Sequence, residues 1–527
     1  MKRSLRTAVA ATAAGFLLLT GCGAGSGDDD ATDSSADGST ADDGDGDDAD
    51  PGDDTPAGEP TALTVGFTAE PANLDFTTTD GAAIPEALLV NVYEGLVKLD
   101  QDTGEIVPLL AESWEVSEDR TIYDFTLREG VTFSNGEEFT ADDVKFSIER
   151  VQSDDWSVSL KSGMDVVDEV EVVSPTEVRV VLTEPSNNWL FRMTTRIGAM
   201  FTPTGVDDLA NEPVGTGPYV VDTWNRGDSI VFAANDDYWG DAPAIDTVTL
   251  RYFADPTAAN NAMLTGDIDV IGTVQAPEAL DQFENEDRFQ VIEGTTNGEV
   301  TLAFNNESGP MSDVRVRQAV KHAIDREALL ETAWAGRGYL IGSHVPPTDP
   351  WYEDLTGMYP YDPDRAQDLL ADAGAEGVTL RFRIANLPYA VAAAQVVASQ
   401  LADVGITAEI EPLEFPARWL DEVFTNADYD MSIVAHVEPR DIGIFGDPDY
   451  YFRYDNEELR DLLTAADAGT PEEQIASMQD AARLLAEDAV ADWLFLLPNL
   501  IVAADDVTGL PENRVGESFD LTAISRS

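Results

Sequence analysis

Thr301-Leu302-Ala303-Phe304, followed by Asp313-Val314-Arg315-Val316-Arg317-Gln318-Ala319-Val320, decides the fold. The first run reads as a strand. In the second, Val316, Val320, Ala323 and Ile324 recur at i, i+4, i+7 and i+8, the spacing of one buried helix face. The alternation continues downstream. Asp362-Pro363 supplies an N-cap and a first helical residue, and Gly374 ends that helix. Thr470-Pro471-Glu472-Glu473 fits a capping box before a helix through Asp488. Alternating strands and helices point to an α/β lobe built on a mixed sheet.

Upstream of Glu299 the pattern is richer in strands. Leu63–Phe67 alternates as a strand, and Ala83–Leu99, which carries Tyr93-Glu94-Gly95-Leu96, is predicted to be helical. Ile122–Leu127, Val166–Val173 and Glu177–Leu182 read as strands, with Asn135-Gly136 as a turn. Thr140-Ala141-Asp142-Asp143 opens a helix, its acidic first turn suited to the helix dipole. Tyr219–Trp224 and Ser229–Ala233 flank Asn225-Arg226-Gly227-Asp228 as a hairpin. No internal repeat is visible.

The chain has 527 residues, more than one core of about 250–300 residues accommodates, so two or more lobes are expected. Its formal net charge of −71 repels phosphate and anionic headgroups, which argues against nucleic acid or a direct lipid surface as partner. Lysine occurs only at Lys2, Lys98, Lys145, Lys161 and Lys321; so acidic a surface suits a saline, screening environment. The one cysteine, Cys22, leaves the body without a disulfide or a thiolate site. The three histidines, His322, His344 and His436, lie far apart without zinc-site spacing, so no metal is expected unless folding gathers them. No nucleophile elbow, phosphate loop or dinucleotide fingerprint occurs, and Gly336-Arg337-Gly338-Tyr339-Leu340-Ile341-Gly342 has the wrong spacing for one. Among enzymes only a carboxylate-dependent hydrolase survives counting, because acidic residues abound.

Residues 1–22 have the three parts of an export signal: Lys2, Arg3 and Arg6, then the apolar Ala8–Leu19, too short for a typical span. The run ends in Leu19-Thr20-Gly21-Cys22, which resembles the bacterial lipobox, whose cysteine is lipidated and becomes the mature N-terminus. Residues 23–60 carry no lysine or arginine and little to bury, and read as a disordered acidic tether. Asp33, Ser35, Asp37 and Gly38 mimic EF-hand offsets, but Gly44 stands where the bidentate Glu belongs.

Five stretches, in order, resemble one family, the extracytoplasmic solute-binding proteins of peptide and nickel ABC transporters (family 5, the oligopeptide- and dipeptide-binding type). They are Tyr93-Glu94-Gly95-Leu96-Val97; Phe133-Ser134-Asn135-Gly136 with Phe139 to Val144; Gly215-Thr216-Gly217-Pro218-Tyr219 with Asn235 to Trp239; Phe304-Asn305 with Asp313 to Val320; and Asp362 to Gly374. Each has a plain structural reading too: Tyr238 and Trp239 as packing, Arg315 and Arg317 as surface ion pairs. The resemblance implies a two-lobe fold of the periplasmic-binding-protein type, hinged by crossing strands. The N-terminal lobe would comprise residues 62–298 and 488–527, with a subdomain inserted at 105–199, and the second lobe residues 299–487. It further implies a monomer without cofactor or catalysis, anchored outside the cell membrane through Cys22. That monomer would pass a peptide-like ligand to a permease powered by its own ATPase.

In peptide-binding members an acidic residue of the second lobe holds the ligand's α-amine, and here the corresponding segment is Asp430 to Asp441. Glu438 falls at or beside that acidic position, and His436 stands where a Trp is common. The plain alternative pairs Glu438 with Arg440 on the surface. Asp441, Arg440 and Trp419 are the neighbouring candidates for ligand contact. Two departures weaken a dipeptide assignment: Leu387 replaces the Arg that holds a dipeptide carboxylate, and Ile442–Phe445 read as an insertion before Gly446-Asp447-Pro448-Asp449. Longer peptides are favoured. Other ligands remain open: an opine, a metal chelate, or a sugar stacked on Trp351, Tyr352, Tyr389, Trp419, Tyr450 or Tyr451.

Overall fold

The short strand expected at Thr301–Phe304 is the end of a sixteen-residue one, Phe289–Phe304. The computed structural model describes residues 61–79, 81–101 and 103–527; the export signal, Cys22, the acidic tether and the EF-hand-like run lie outside them. Among the described residues ten strands form one mixed sheet. In chain order they are Ala62–Phe67 (β1), Tyr219–Asn225 (β2), Ser229–Ala234 (β3), Thr247–Tyr252 (β4), Val270–Ile271 (β5), Phe289–Phe304 (β6), Thr379–Ala385 (β7), Thr407–Leu413 (β8), Met431–His436 (β9) and Ala491–Ala504 (β10). Across the sheet they run β8-β7-β9-β6-β10-β5-β1-β4-β3-β2.

β6 and β10 are antiparallel partners at the middle of this sheet, from Phe289↔Ala504 to Ala303↔Ala491. At about 3.3 Å per residue β6 is roughly 50 Å long, enough to pass through both halves of the molecule. One end lies with the first half: Ile501 and Ala503 of β10 join a core with Leu63, Val65, Phe232 and Leu250. The other end lies with the second half, where Val300, Leu302 and Phe304 pack with Val316, Val320, Leu370 and Phe382. These are the crossing strands, and the boundary placed at 298/299 falls inside one of them. The β6–β10 register slips between Thr295 and Glu299 and again between Val300 and Thr301. Such irregularities are where a ladder bends.

A separate four-stranded antiparallel sheet, Ala111–Val116, Ile122–Leu127, Glu177–Leu182 and Val167–Ser174, carries the helix Ala141–Gln152. The segment that follows reaches the second half of the chain. Ser186 Oγ and Asn188 N donate to Asp467 Oδ1 at 3.0 and 2.8 Å, and Asn187 donates to the carbonyls of Ala466 and Gly469 at 2.8 Å.

Two expectations are corrected. The helix expected over Ala83–Leu99 ends at Leu88, and Val97–Leu99 is a strand. From Leu88 to Leu99 nearly every side chain is buried, which no single helix face provides, and Val90 turns the chain with φ +57°. Gly95 then packs so closely that a Cβ there would meet three carbonyl oxygens at 3.0–3.1 Å. The second correction concerns Arg317. Arg315 does pair with Asp313 (2.6 Å), but Arg317 is buried and donates to the carbonyls of Met311, Asp488 and Ala489 at 2.8–2.9 Å. An always-charged guanidinium thus ties the helix Val314–Ala323 to the chain entering β10.

Candidate functional site

β9 ends at His436, which lies opposite Glu299 of β6 in the antiparallel register. The chain then turns through Arg440, which adopts φ +54°, into a 3-10 turn at Ile442–Gly446. This places His436, Glu438, Arg440 and Asp441 beside the register slip of β6, where the two halves meet. Ile442 and Phe445 are buried, with Phe445 packed 4.4 Å from Phe452 and 5.1 Å from His344 between ring centroids.

Asp441 is the centre of a buried network. His344 Nε2 lies 2.8 Å from its Oδ1 and His436 Nδ1 3.2 Å from its Oδ2. Trp493 Nε1 donates to His344 Nδ1 at 3.0 Å, so that nitrogen bears no proton and the ring offers Nε2–H to Asp441. His436 Nε2 meets the Tyr451 hydroxyl at 2.9 Å. Burial holds His344 below its ordinary pKa, in the neutral form. Burial alone would raise Asp441, but the two rings outweigh it and hold the carboxyl well below the usual range. Folding has therefore gathered two histidines that are remote in sequence. One ligand atom each from His344, His436 and Asp441 lies within 4.8 Å of the others, a spacing that can hold a metal. All four ring nitrogens already have hydrogen-bond partners, however, so the trio acts first as the framework that keeps Asp441 charged.

Around Asp441 stand three further carboxylates. Glu438 is half-buried and makes no ion pair with a described residue. Burial and then the Asp441 charge push its pKa up, against the opposing pull of His436 and Arg196. Arg440 is not its partner. That guanidinium faces Asp349, with Nε 3.6 Å from Oδ1, and lies 3.9 Å over the Phe191 ring. Burial still lifts Asp349 to about 7, Arg440 notwithstanding. Glu299 is 2% exposed, and its Oε2 has no hydrogen-bond partner among the described residues. Burial, then the charges of Asp441, Asp349 and Glu438, push it far above the ordinary carboxyl value.

The cations nearby are committed elsewhere. Arg192, at the end of the helix Asn187–Arg192, donates to the carbonyls of Pro439 (3.3 Å) and Arg440 (3.5 Å). Arg196 forms a buried pair with Glu517. Trp419 sits in the core rather than at this surface: it is 4% exposed, donates to Ser432 Oγ at 3.1 Å and packs on Tyr451. Of the other aromatic platforms, Trp351 and Tyr451 are buried and Tyr389 caps the backbone of Ala435 at 3.0 Å. His322 contacts the Pro360 carbonyl, away from the other two rings.

Sequence reading did not single out Glu299, His344, Asp349 or Arg192 for this site. Glu299 alone left a trace, as a lone acid leading an apolar strand; His344 and Asp349 come from a loop and Arg192 from the end of a short helix, with no local signature.

This arrangement sits on a recognisable scaffold. The model of the bacterial extracellular solute-binding proteins, family 5 (middle), matches residues 105–458, and the chain belongs to that family. It is 27% identical over 456 residues to heme-binding protein A of Haemophilus influenzae, covering 76% of this chain and 81% of that one. It is 28% identical over 371 residues to the dipeptide-binding protein of Escherichia coli K12, covering 64% and 68% respectively. Among solved structures, a dipeptide-binding protein of Pseudoalteromonas sp. SM9913 in complex with Met-Leu matches with a TM-score of 0.79 at 24% identity, over 88% of this chain and 100% of that chain. The fold is the two-lobe periplasmic-binding type, and the family is one of extracellular binding proteins. No helix of the described residues is long and apolar enough to cross a membrane.

Proposed function

We propose that this chain captures oligopeptides between two lobes and delivers them to an ABC import permease, with Glu438 receiving the ligand's α-ammonium. The observation that carries this reading is the Glu438 carboxyl itself. It is half-buried at the junction of the halves, and the neighbouring Arg440 is held by Asp349. An ammonium entering that place gains a charge-assisted hydrogen bond with little competition from solvent. The dipeptide-binding relatives support a peptide ligand; Leu387, where a dipeptide carboxylate would need an Arg, supports a longer one.

The lobes of this reading are residues 62–298 with 488–527, and residues 299–487. They hinge where the β6–β10 register slips and open to admit ligand. The protein acts as a monomer without catalysis, tethered to the outer face of the membrane by lipidated Cys22, and the permease's ATPase supplies the energy. Thermal shift of a soluble form starting at Thr61, against pooled tri- to pentapeptides, sugars and nickel chelates in salt, tests it. Peptides should raise the melting temperature, and Glu438→Gln should weaken peptide affinity about ten- to a hundredfold by calorimetry. A rise with sugars or chelates and none with peptides would overturn the peptide assignment.

A further inference from the structure

Four carboxylates meet at the junction of the halves, and only two of them are provided for. Asp441 accepts from His344 and His436, and Asp349 faces Arg440. Glu438 and Glu299 have no such partner among the described residues, and they are neighbours: Glu299 pairs in register with His436, two residues before Glu438. One positive ligand group at Glu438 would leave the second carboxyl unanswered. Glu299 is also the more deeply buried of the two and keeps a bare Oε2. Leaving a buried acceptor unmade is costly, more so when it is charged, so such a group is retained where something else completes it. No nearby arginine bonds either carboxyl: Arg192 donates to the carbonyls of Pro439 and Arg440, and Arg196 pairs with Glu517.

We infer that Glu299 takes a second positive charge of the ligand, so that the cleft selects peptides bearing a lysine- or arginine-type side chain in addition to the α-ammonium. This rests on the peptide reading above and adds to it a substrate class. Glu299 belongs to β6, one of the two strands that join the halves, so the group reading the side chain is part of the hinge rather than of a loop. In this structure Glu299 faces Asp441, Asp349 and Glu438, and burial and those charges favour its protonated form. An arriving ammonium lets it ionise, and one proton leaves to solvent as the ion pair forms.

The test compares trialanine, the three tripeptides that carry a single lysine among alanines, and their norleucine counterparts, which keep the aliphatic stem without the charge. For the wild-type protein, calorimetry should show at least one lysyl peptide binding about tenfold more tightly than its norleucine counterpart. Glu299→Gln should reduce that ratio to about twofold or less. Titrations of the wild-type protein in two buffers of different ionisation enthalpy give a second readout. The lysyl peptide should release more protons than its norleucine counterpart. A lysine preference that survives Glu299→Gln, or no excess proton release, overturns the inference. Trialanine binding without any lysine preference overturns it too and leaves the peptide reading intact; binding of none of these peptides overturns both.

Discussion

Glu94 and Glu299 are both sealed from water, 1% and 2% exposed, and are furnished in opposite ways. Glu94 accepts from Thr216 Oγ1 (2.8 Å), Trp239 Nε1 (2.9 Å) and the Tyr238 hydroxyl (2.9 Å), and burial still lifts it to about 7. Glu299 has an oxygen with no donor and three acidic neighbours. A buried carboxyl whose lone pairs are all answered is a structural joint: Glu94 ties Tyr93-Glu94-Gly95-Leu96 to Gly215–Tyr219 and to Tyr238-Trp239. A buried carboxyl left unanswered, among other acids at a hinge, costs stability in the free protein and is the mark of a group kept for something that arrives.

The comparison breaks most sharply at Glu94. Glu94→Ala strands three donors inside the first half and should cost about 3 kcal/mol or more, seen as a melting temperature lower by several degrees with ligand preference unchanged. Glu299→Gln should act in the opposite direction on the free protein. Because its folded pKa is raised, the unfolded chain loses that proton first, and stability falls as pH rises above the unfolded value of 4.5. Removing the group should therefore raise ligand-free stability by about 1–2 kcal/mol at pH 8 and change little near pH 4, read from denaturant melts at the two pH values. His344 provides the smallest effect. Its folded pKa is lowered, so below the ordinary 6.5 the unfolded state takes up a proton that the folded state refuses, and stability drops as pH falls. His344→Asn should blunt the wild-type loss between pH 7 and pH 5 by about 1 kcal/mol, measured by the same melts.

Much of the fold was legible because local signals agreed with it. Asp362 and Thr470 cap helices as their positions foretold, and the hairpin at Tyr219–Ala234 closes around its turn residues. The failure at Ala83–Leu99 has the reverse cause: a segment buried on every side carries no period, and tertiary bonding chose its shape. The length of β6 was hidden for a related reason, since Gly294 and Gly298 interrupt its pattern while long-range pairing with β10 sustains it. Of the candidate residues, Glu438 makes no ion pair with a described residue, Arg440 answers to Asp349, 91 positions away, and Trp419 to the core. Charge relations across loops distant in sequence leave no mark on either partner's neighbours.

The position of β10 also governs when this protein can exist as a folded object. That strand lies between β6 and β5 and, with β6, joins the two sides of the sheet, yet it is made of residues 491–504 of 527. A chain emerging from its N-terminus can form local hairpins and helices, but it lacks the central strand until nearly all of it has been delivered. A central strand supplied so late delays the long-range pairing that closes the sheet, so stable tertiary structure waits for residues 491–504.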